Sequence, residues 1–144
     1  MMLSASVRTA IVVVAAASTL PAQDILKQTK IPPAAKVFVQ SMDGFETYLL
    51  AAFTKKKTPI VVVDDLDQAD FEVEGRFEHH GRHWAEQLFL QKSNLERAAI
   101  RVKNRKTGVT AFTYVVEKEG PWKTGQSAAE ACAKHLKAWI EHGR

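Results

Sequence analysis

The stretch KVFVQSMDGFETYLLAAFTKKKTPIVVVDD, residues 36–65, decides the fold of this 144-residue chain. Its first part, KVFVQSM (36–42), is rich in branched and aromatic side chains and predicts a strand. Its last part, IVVVDD (60–65), has apolar residues on both faces, as a central strand covered on both sides does. A helical pattern separates the two strands, so the stretch predicts a right-handed parallel β-α-β crossover.

The helix of this crossover has its own start and stop residues. Asp43 and Glu46 have the spacing of a capping box, which predicts that the helix begins after Asp43. Thr58-Pro59 ends it, because the residue before a proline avoids the helical conformation. An apolar stripe at helical spacing faces the core, formed by Phe45, Tyr48, Leu49, Ala52 and Phe53.

Three further strands and a second helix follow. DFEVEGRF (70–77) alternates apolar and charged residues, and LERAAIRVKN (95–104) carries the same alternation. A glycine-bearing hairpin turn then leads into a further predicted strand, VTAFTYVVEK (109–118). Ser127 and Glu130 have the spacing of a second capping box, which opens an apolar helix. The chain therefore predicts an α/β (α+β) two-layer sandwich, a β-α-β-β-β-α mixed sheet packed by two helices.

The amino-terminal residues have the features of an export signal. Residues 1–22 combine Arg8, an uncharged apolar run and a small residue before a cleavage point, and this run is too short for a membrane span. Residues 23–35 are a polar linker or arm that ends at a proline pair. We therefore expect residues 36–144 to form a single α/β domain, periplasmic or secreted, with no stable membrane anchor after cleavage.

Composition narrows the class of function. The chain is 46% hydrophobic, enough to build a core, and its formal net charge of +4 is spread along its length. An exported protein meets little nucleic acid, so this modest charge does not predict nucleic-acid binding. Cys132 is the only cysteine, so no disulfide framework is expected and stability must come from the core.

A histidine-rich stretch, FEHHGRHW (77–84), is the sharpest candidate for a metal site. Imidazole suits zinc, copper and nickel, and a site needs three or four converging ligands, for which His79, His80 and His83 are the candidates. Gly81 disfavours the helix that would bring His79 and His83 together. A solvated turn between two strands is therefore the preferred interpretation, and no metal or cofactor is predicted.

Two other groups of reactive side chains have simpler explanations. The acidic cluster DDLDQAD (64–70) has oxygen ligands for calcium but lacks the pattern of an EF-hand, and aspartates that cap a short turn explain it equally well. Cys132 and His135 have the spacing of a thiol–imidazole pair. Cys132 lies on the apolar stripe of the last helix, so we expect it to be a buried core residue. No catalytic residue is predicted.

Two segments carry a family resemblance. FETYLLAAFTKKKTPIVVVDDLDQADFEVEG (45–75) and SAAEACAKHLKAWI (127–140) resemble a group of small exported bacterial proteins of unassigned function. More loosely, VFV (37–39) and ADFEVEG (69–75) are similar to envelope accessory domains: the amino-terminal domain of the Tol translocation protein, the activator lipoproteins of penicillin-binding proteins and the curli-secretion channel family. This resemblance implies protein contacts in the envelope and no catalysis. The chain lacks the lipid-accepting cysteine of the lipoproteins among them.

These observations predict an exported, non-enzymatic domain that binds a protein or another cell-envelope component. Two surfaces are candidates: the free edge of the sheet, and the segment 78–94, whose apolar residues need a core or a partner to cover them. The candidate partner-binding residues of that segment are Trp84, Leu88, Phe89 and Leu90. The alternative is a metal-binding protein that uses His79, His80 and His83, and a third hypothesis is a hydrolase.

Overall fold

The computed structural model of the chain describes residue 27 and residues 29–80, 94–120 and 124–143. Five strands and two long helices follow in the order β-α-β-β-β-β-α, one strand more than the predicted order β-α-β-β-β-α contains, with a short 3₁₀ helix, Leu66–Gln68, between the second and third strands. In chain order the elements are β1 (Ala35–Val39), α1 (Phe45–Lys56), β2 (Ile60–Val62), β3 (Phe71–His80), β4 (Asn94–Asn104), β5 (Thr110–Gly120) and α2 (Thr124–His142).

The strands form one mixed sheet in the order β2-β1-β3-β4-β5. β1 pairs in parallel with both β2 and β3, whereas β3, β4 and β5 form an antiparallel meander. The parallel pair β1–β2 is joined through α1, as the sequence predicts. The five-stranded mixed sheet with two helices confirms the predicted two-layer sandwich.

The core lies between the helices and one face of the sheet. Alternate residues of the strands, among them Val37, Val73 and Ile100, pack against the apolar faces of α1 and α2. Leu49 and Leu136 are the large aliphatic side chains that the two helices bury most completely. This alternation confirms that β3 and β4 each have one apolar and one polar face, and β5 has the same division.

The opposite face of the sheet carries charged side chains that pair across strands. Lys103 lies 3.9 Å from Glu72, and Arg101 pairs with Glu74 on the neighbouring strand. Arg97 pairs with Glu117 of β5, its Nε 2.7 Å from the carboxylate. Opposite charges on facing residues stabilise a sheet modestly. The charged side chains named above are therefore paired with each other across the strands.

The position of β2 corrects the prediction of a covered central strand at residues 60–65. β2 has three residues and lies at an edge, where Val61 and Val62 are 46% and 41% exposed. β1 uses its other side to pair with β3, so that Val37 faces Phe71. The long β3 therefore takes the centre of the sheet, and the apolar run of β2 does not reflect cover on both faces.

Both predicted capping boxes are wrong. Gly44, with φ 94°, is the residue that caps α1, and no side chain bonds to the first turn from that position. The Glu46 carboxylate instead accepts hydrogen bonds from the backbone N–H groups of Met42 (2.7 Å) and Gly44 (3.0 Å). α2 begins at Thr124, so Ser127 lies inside it and Glu130 is free to pair elsewhere.

The chain joins the folded part before the predicted domain boundary at residue 36. Ile31 and Ala35, which fall in the predicted arm of residues 23–35, are buried in the core. The Ala34 N–H donates to the Pro59 carbonyl oxygen at 2.8 Å. Ile31 brings apolar surface that the core covers, and burial of such surface stabilises the fold. The predicted signal, residues 1–22, lies outside the described residues.

Neither of the two long helices that the structure describes has both the length and the apolar character needed to cross a membrane.

Candidate binding edge

β5 forms one edge of the sheet along its full length of eleven residues, Thr110–Gly120. One side of it pairs with β4, and none of the strands that the structure describes pairs with the other. An edge of this kind presents backbone N–H and C=O groups to any extended chain that approaches it. Val115, at the midpoint of the strand, is 55% exposed.

An aromatic groove lies beside this edge on the helix side of the sheet. Phe112 and Tyr114 come from β5, and His135 and Trp139 come from successive turns of α2. The Tyr114 and His135 rings stack with their centroids 4.2 Å apart, and Phe112 lies 6.0 Å from Trp139. These four side chains, with Thr110, Ala111 and Thr113, line a shallow depression of about 390 Å³.

The sequence builds this groove from two periodicities. Phe112 and Tyr114 are two residues apart on a strand, so they share one face. His135 and Trp139 are four residues apart on a helix, so they lie one above the other. The sequence does not show that these two pairs contact each other, because their contact depends on how α2 packs against β5.

The groove combines aromatic and polar side chains, and its one phenol stays protonated. Burial raises the pKa of Tyr114 above its ordinary value of 10.0, and Cys132 raises it further. The phenol is therefore neutral at physiological pH and able to donate a hydrogen bond. From Thr110 to Val116 the edge strand carries no charged residue, and its charges begin only at Glu117, Lys118 and Glu119.

The histidine cluster is described only in part. β3 runs three residues past its predicted end, because its ladder with β4 continues until His79 faces Glu96 and His80 faces Leu95. The predicted turn therefore cannot begin at Glu78. His83 lies outside the described residues, and so do Trp84, Leu88, Phe89 and Leu90, so both hypotheses that use them stay predictions. Within the described ranges, no three His, Cys, Asp or Glu side chains are placed to hold a metal ion.

The acidic cluster at residues 64–70 caps a short turn. The Asp65 carboxylate accepts a hydrogen bond from the Asp67 N–H at 2.9 Å at the start of the 3₁₀ helix. Asp67 lies 3.7 Å from Arg105, whose guanidinium also donates to the Leu66 and Ala69 carbonyl oxygens. Asp70 accepts from the Lys36 N–H at 3.3 Å. The capping interpretation is confirmed for Asp65.

Cys132 and His135 do not act as a pair. Cys132 is completely buried, and this burial raises the pKa of its thiol to about 12. His135 is exposed and stacks on Tyr114 instead. A thiol this hard to ionise is a poor nucleophile, so the prediction of a core residue is confirmed.

The fold and the open edge together define the class: a two-layer sandwich with a mixed sheet and a long antiparallel edge strand that, among the described strands, is paired on one side only. No family model matches the chain, and no curated protein is significantly similar to it in sequence.

Similar folds exist among solved structures. A PDZ domain protein from Parabacteroides distasonis has a TM-score of 0.50 at 11% identity, and the match covers 76% of this chain and 32% of that one. Uncharacterized lipoprotein B from Nitrosomonas europaea has a TM-score of 0.48 at 9% identity, covering 81% and 90%. A minor lipoprotein from Acinetobacter baumannii has a TM-score of 0.45 at 12% identity, covering 79% and 96%.

At these identities the similarity concerns the fold alone. Two of the three proteins are described as lipoproteins. The descriptions do not name the Tol, penicillin-binding-protein activator or curli-secretion families, so those specific resemblances stay predictions.

Proposed function

We propose that this chain is an exported, non-enzymatic domain of the bacterial cell envelope that binds an extended polypeptide segment by strand addition to β5. The observation that carries the proposal is the edge itself: eleven residues long, uncharged over its first seven, and open on one side among the described strands. In strand addition the main-chain hydrogen bonds supply affinity, and pockets for alternate side chains supply specificity.

The aromatic groove supplies such a pocket. An added strand would place every second side chain on the helix side of the sheet, beside Phe112, Tyr114 and Trp139. Aromatic residues next to a polar rim are common where proteins bind one another, because they bury a large area at a low entropic cost. We expect the bound segment to present an apolar or cationic side chain at this position, since a cation is attracted to aromatic faces.

The envelope location is proposed from the sequence. Residues 1–22 have the features of an export signal, and the resemblance of residues 45–75 and 127–140 is to small exported bacterial proteins. The absence of catalysis is proposed from the same resemblance and from the burial of Cys132, the only cysteine of the chain.

Site-specific crosslinking in bacteria that export the chain tests this function. A photo-crosslinking residue is placed at Val115 on the β5 edge and, as the matched control, at Val61, an exposed valine on the opposite edge. We expect the position-115 protein in the exported fraction to form covalent adducts with a polypeptide, in clearly higher yield than the position-61 protein. Equal yields at the two positions, no adduct at position 115, or retention of the protein in the cytoplasm would contradict the proposal.

A further inference from the structure

Val115 is the most exposed of the large hydrophobic side chains that the structure describes, at 55%. It lies on the polar face of the sheet, opposite Ala99 of β4, while its neighbours on that face of β5 are Thr113 and Glu117. An exposed valine at the midpoint of a long edge strand is a favourable site for a second strand to pair and cover it.

We infer that β5 pairs antiparallel with β5 of a second copy of this chain, about a two-fold axis that passes between the two Val115 residues. The inference rests on the proposed strand addition and names its occupant. Because Val115 is the midpoint of Thr110–Gly120, this register pairs every residue of the strand. It joins two five-stranded sheets into a continuous sheet.

The side chains of β5 are complementary to themselves in this register. Val115 faces Val115 of the second copy, which covers the exposed valine of each. Tyr114 then faces Val116, an aromatic and β-branched pair of the kind that stabilises antiparallel sheets. Symmetry requires the same interface on both copies, and a self-complementary strand meets this requirement.

The charges of the strand are compatible with this register and disfavour registers centred nearer the charged end. With Val115 at the centre, Glu117 faces Thr113, Lys118 faces Phe112 and Glu119 faces Ala111, so no like charges oppose each other. A centre at Glu117 or Lys118 would place each charge against its own copy, which destabilises the pair. A centre at Val116 would place the apolar Val115 against Glu117.

The aromatic groove is closed by the same arrangement. Lys118 of the second copy would lie opposite Phe112, whose ring is 6.0 Å from that of Trp139. An ammonium group within about 6 Å of an aromatic ring is attracted to its face. The two α2 helices, one behind each β5, would lie side by side across the axis and add to the buried area, which a stable dimer needs beyond the strand contact.

Two lysine substitutions on one face of β5 test the register in opposite directions. Val115→Lys places two positive charges against each other across the axis, whereas Thr113→Lys places a positive charge opposite Glu117 of the second copy. Both positions are exposed, and Thr113 faces Arg101 of its own chain, so the circular dichroism and thermal unfolding of each variant are compared with the wild type before association is measured. The full chain is expressed, purified and studied by sedimentation equilibrium over a range of concentrations.

We expect the wild type to form a dimer, and Val115→Lys to weaken its association by about tenfold or more, since like charges directly opposite are unfavourable. Thr113→Lys should associate as tightly as the wild type or more tightly. A wild type that stays monomeric at the highest concentration, or two variants that weaken association equally, would overturn the inference.

The two proposals fail in different experiments. A monomeric wild type whose position-115 crosslinks in cells yield adducts of other masses refutes the self-pairing and leaves strand addition standing. A dimer in solution whose chain is retained in the cytoplasm refutes the proposed function and leaves the self-pairing standing.

Discussion

The two edges of the sheet differ in length, charge and cover. β2 has three residues, with Pro59 before it and Asp64 and Asp65 soon after it. Short strands, prolines and charges are the means by which natural sheets prevent edge-to-edge pairing. β5 has eleven residues, and its first seven carry neither charge nor proline. One edge is protected against pairing and the other is open to it.

The surroundings of the two exposed valines reinforce this difference. Val61 on β2 and Val115 on β5 have similar exposure, 46% and 55%. Val61 has only a short strand around it, whereas Val115 is the centre of a long one with an aromatic groove beside its first half. Exposure of one apolar residue therefore does not define a binding edge. The length of uncharged strand around that residue defines it.

The largest expected effect on stability comes from the helix that supports the open edge. Leu136 of α2 is 1% exposed and belongs to the core behind the sheet. Leu136→Ala should lower the free energy of unfolding by about 2–5 kcal/mol, because it leaves a cavity in packed surroundings. Urea unfolding followed by circular dichroism measures this change.

Val115→Ala is the control for that experiment. It should change the free energy of unfolding of the monomer by no more than about 0.5 kcal/mol, as expected for an exposed position. If both substitutions destabilised the chain equally, Val115 would be a core residue, and the contrast between the two edges would lose its basis.

Much of this fold follows from the sequence, because periodicity reports which face of an element is buried. The alternation in residues 70–77 and 95–104, with the hairpin turn that leads into residues 109–118, is sufficient to place three strands, and the apolar stripes are sufficient to place two helices. The order of the strands in the sheet is harder to predict from the sequence. An apolar run such as Ile60–Val62 has the same composition at an edge as at the centre, and its place is decided by the pairing of β1 with β3.

The candidate site was predicted only as a free edge, without the strand or its side chains. The groove brings Tyr114 to His135 and Phe112 to Trp139 through the packing of α2 on β5, a contact that local spacing does not encode. The prediction of a capping box at Ser127 was wrong for a related reason. Ser127 and Glu130 have the spacing of a capping box, but Glu130 forms ion pairs with two lysines of α1.

The ion pairs of Glu130 connect α2 to α1, and their contribution to stability can be tested by changing the pH. α1 leads into β2, α2 lies behind β5, and Glu130 lies 2.6 Å from Lys55 and 3.0 Å from Lys56. Hydrogen bonds from Lys55 and then Lys56 lower the pKa of Glu130 from 4.5 to about 2. A carboxyl group whose pKa is lower in the folded state stabilises the fold above its unfolded pKa, and this contribution is lost as pH falls toward the folded pKa.

Glu130→Gln should therefore lower the urea midpoint at neutral pH, and its difference from the wild type should shrink as pH falls from 4.5 toward about 2. Glu141→Gln on the same helix is the control, because Glu141 is more exposed and lies 3.8 Å from Lys137. We expect only a small shift of the midpoint from that substitution. A Glu130→Gln difference that stayed constant over this range would show that the ion pair does not link the helices.

The smallest expected effect concerns the histidines near the end of β3. If His79, His80 and His83 lie in a solvated part of the chain, their joint replacement by Gln should change the free energy of unfolding by no more than about 0.5 kcal/mol. Thermal melts of wild type and triple variant, with stoichiometric zinc and with chelator, should coincide. A wild-type melting temperature raised by zinc and lowered by chelator, with both effects lost in the variant, would move the functional surface from the β5 edge to a metal site.

Backbone amide hydrogen exchange at two protein concentrations tests the contrast between the edges most directly. On our account the amides of β5 around Val115 gain protection as concentration rises, because the second copy covers their free side, while those of Ile60–Val62 exchange at an unchanged rate. Protection that is independent of concentration at β5, or that rises equally at both edges, would contradict the claim that β5 is the edge at which two copies of this chain pair.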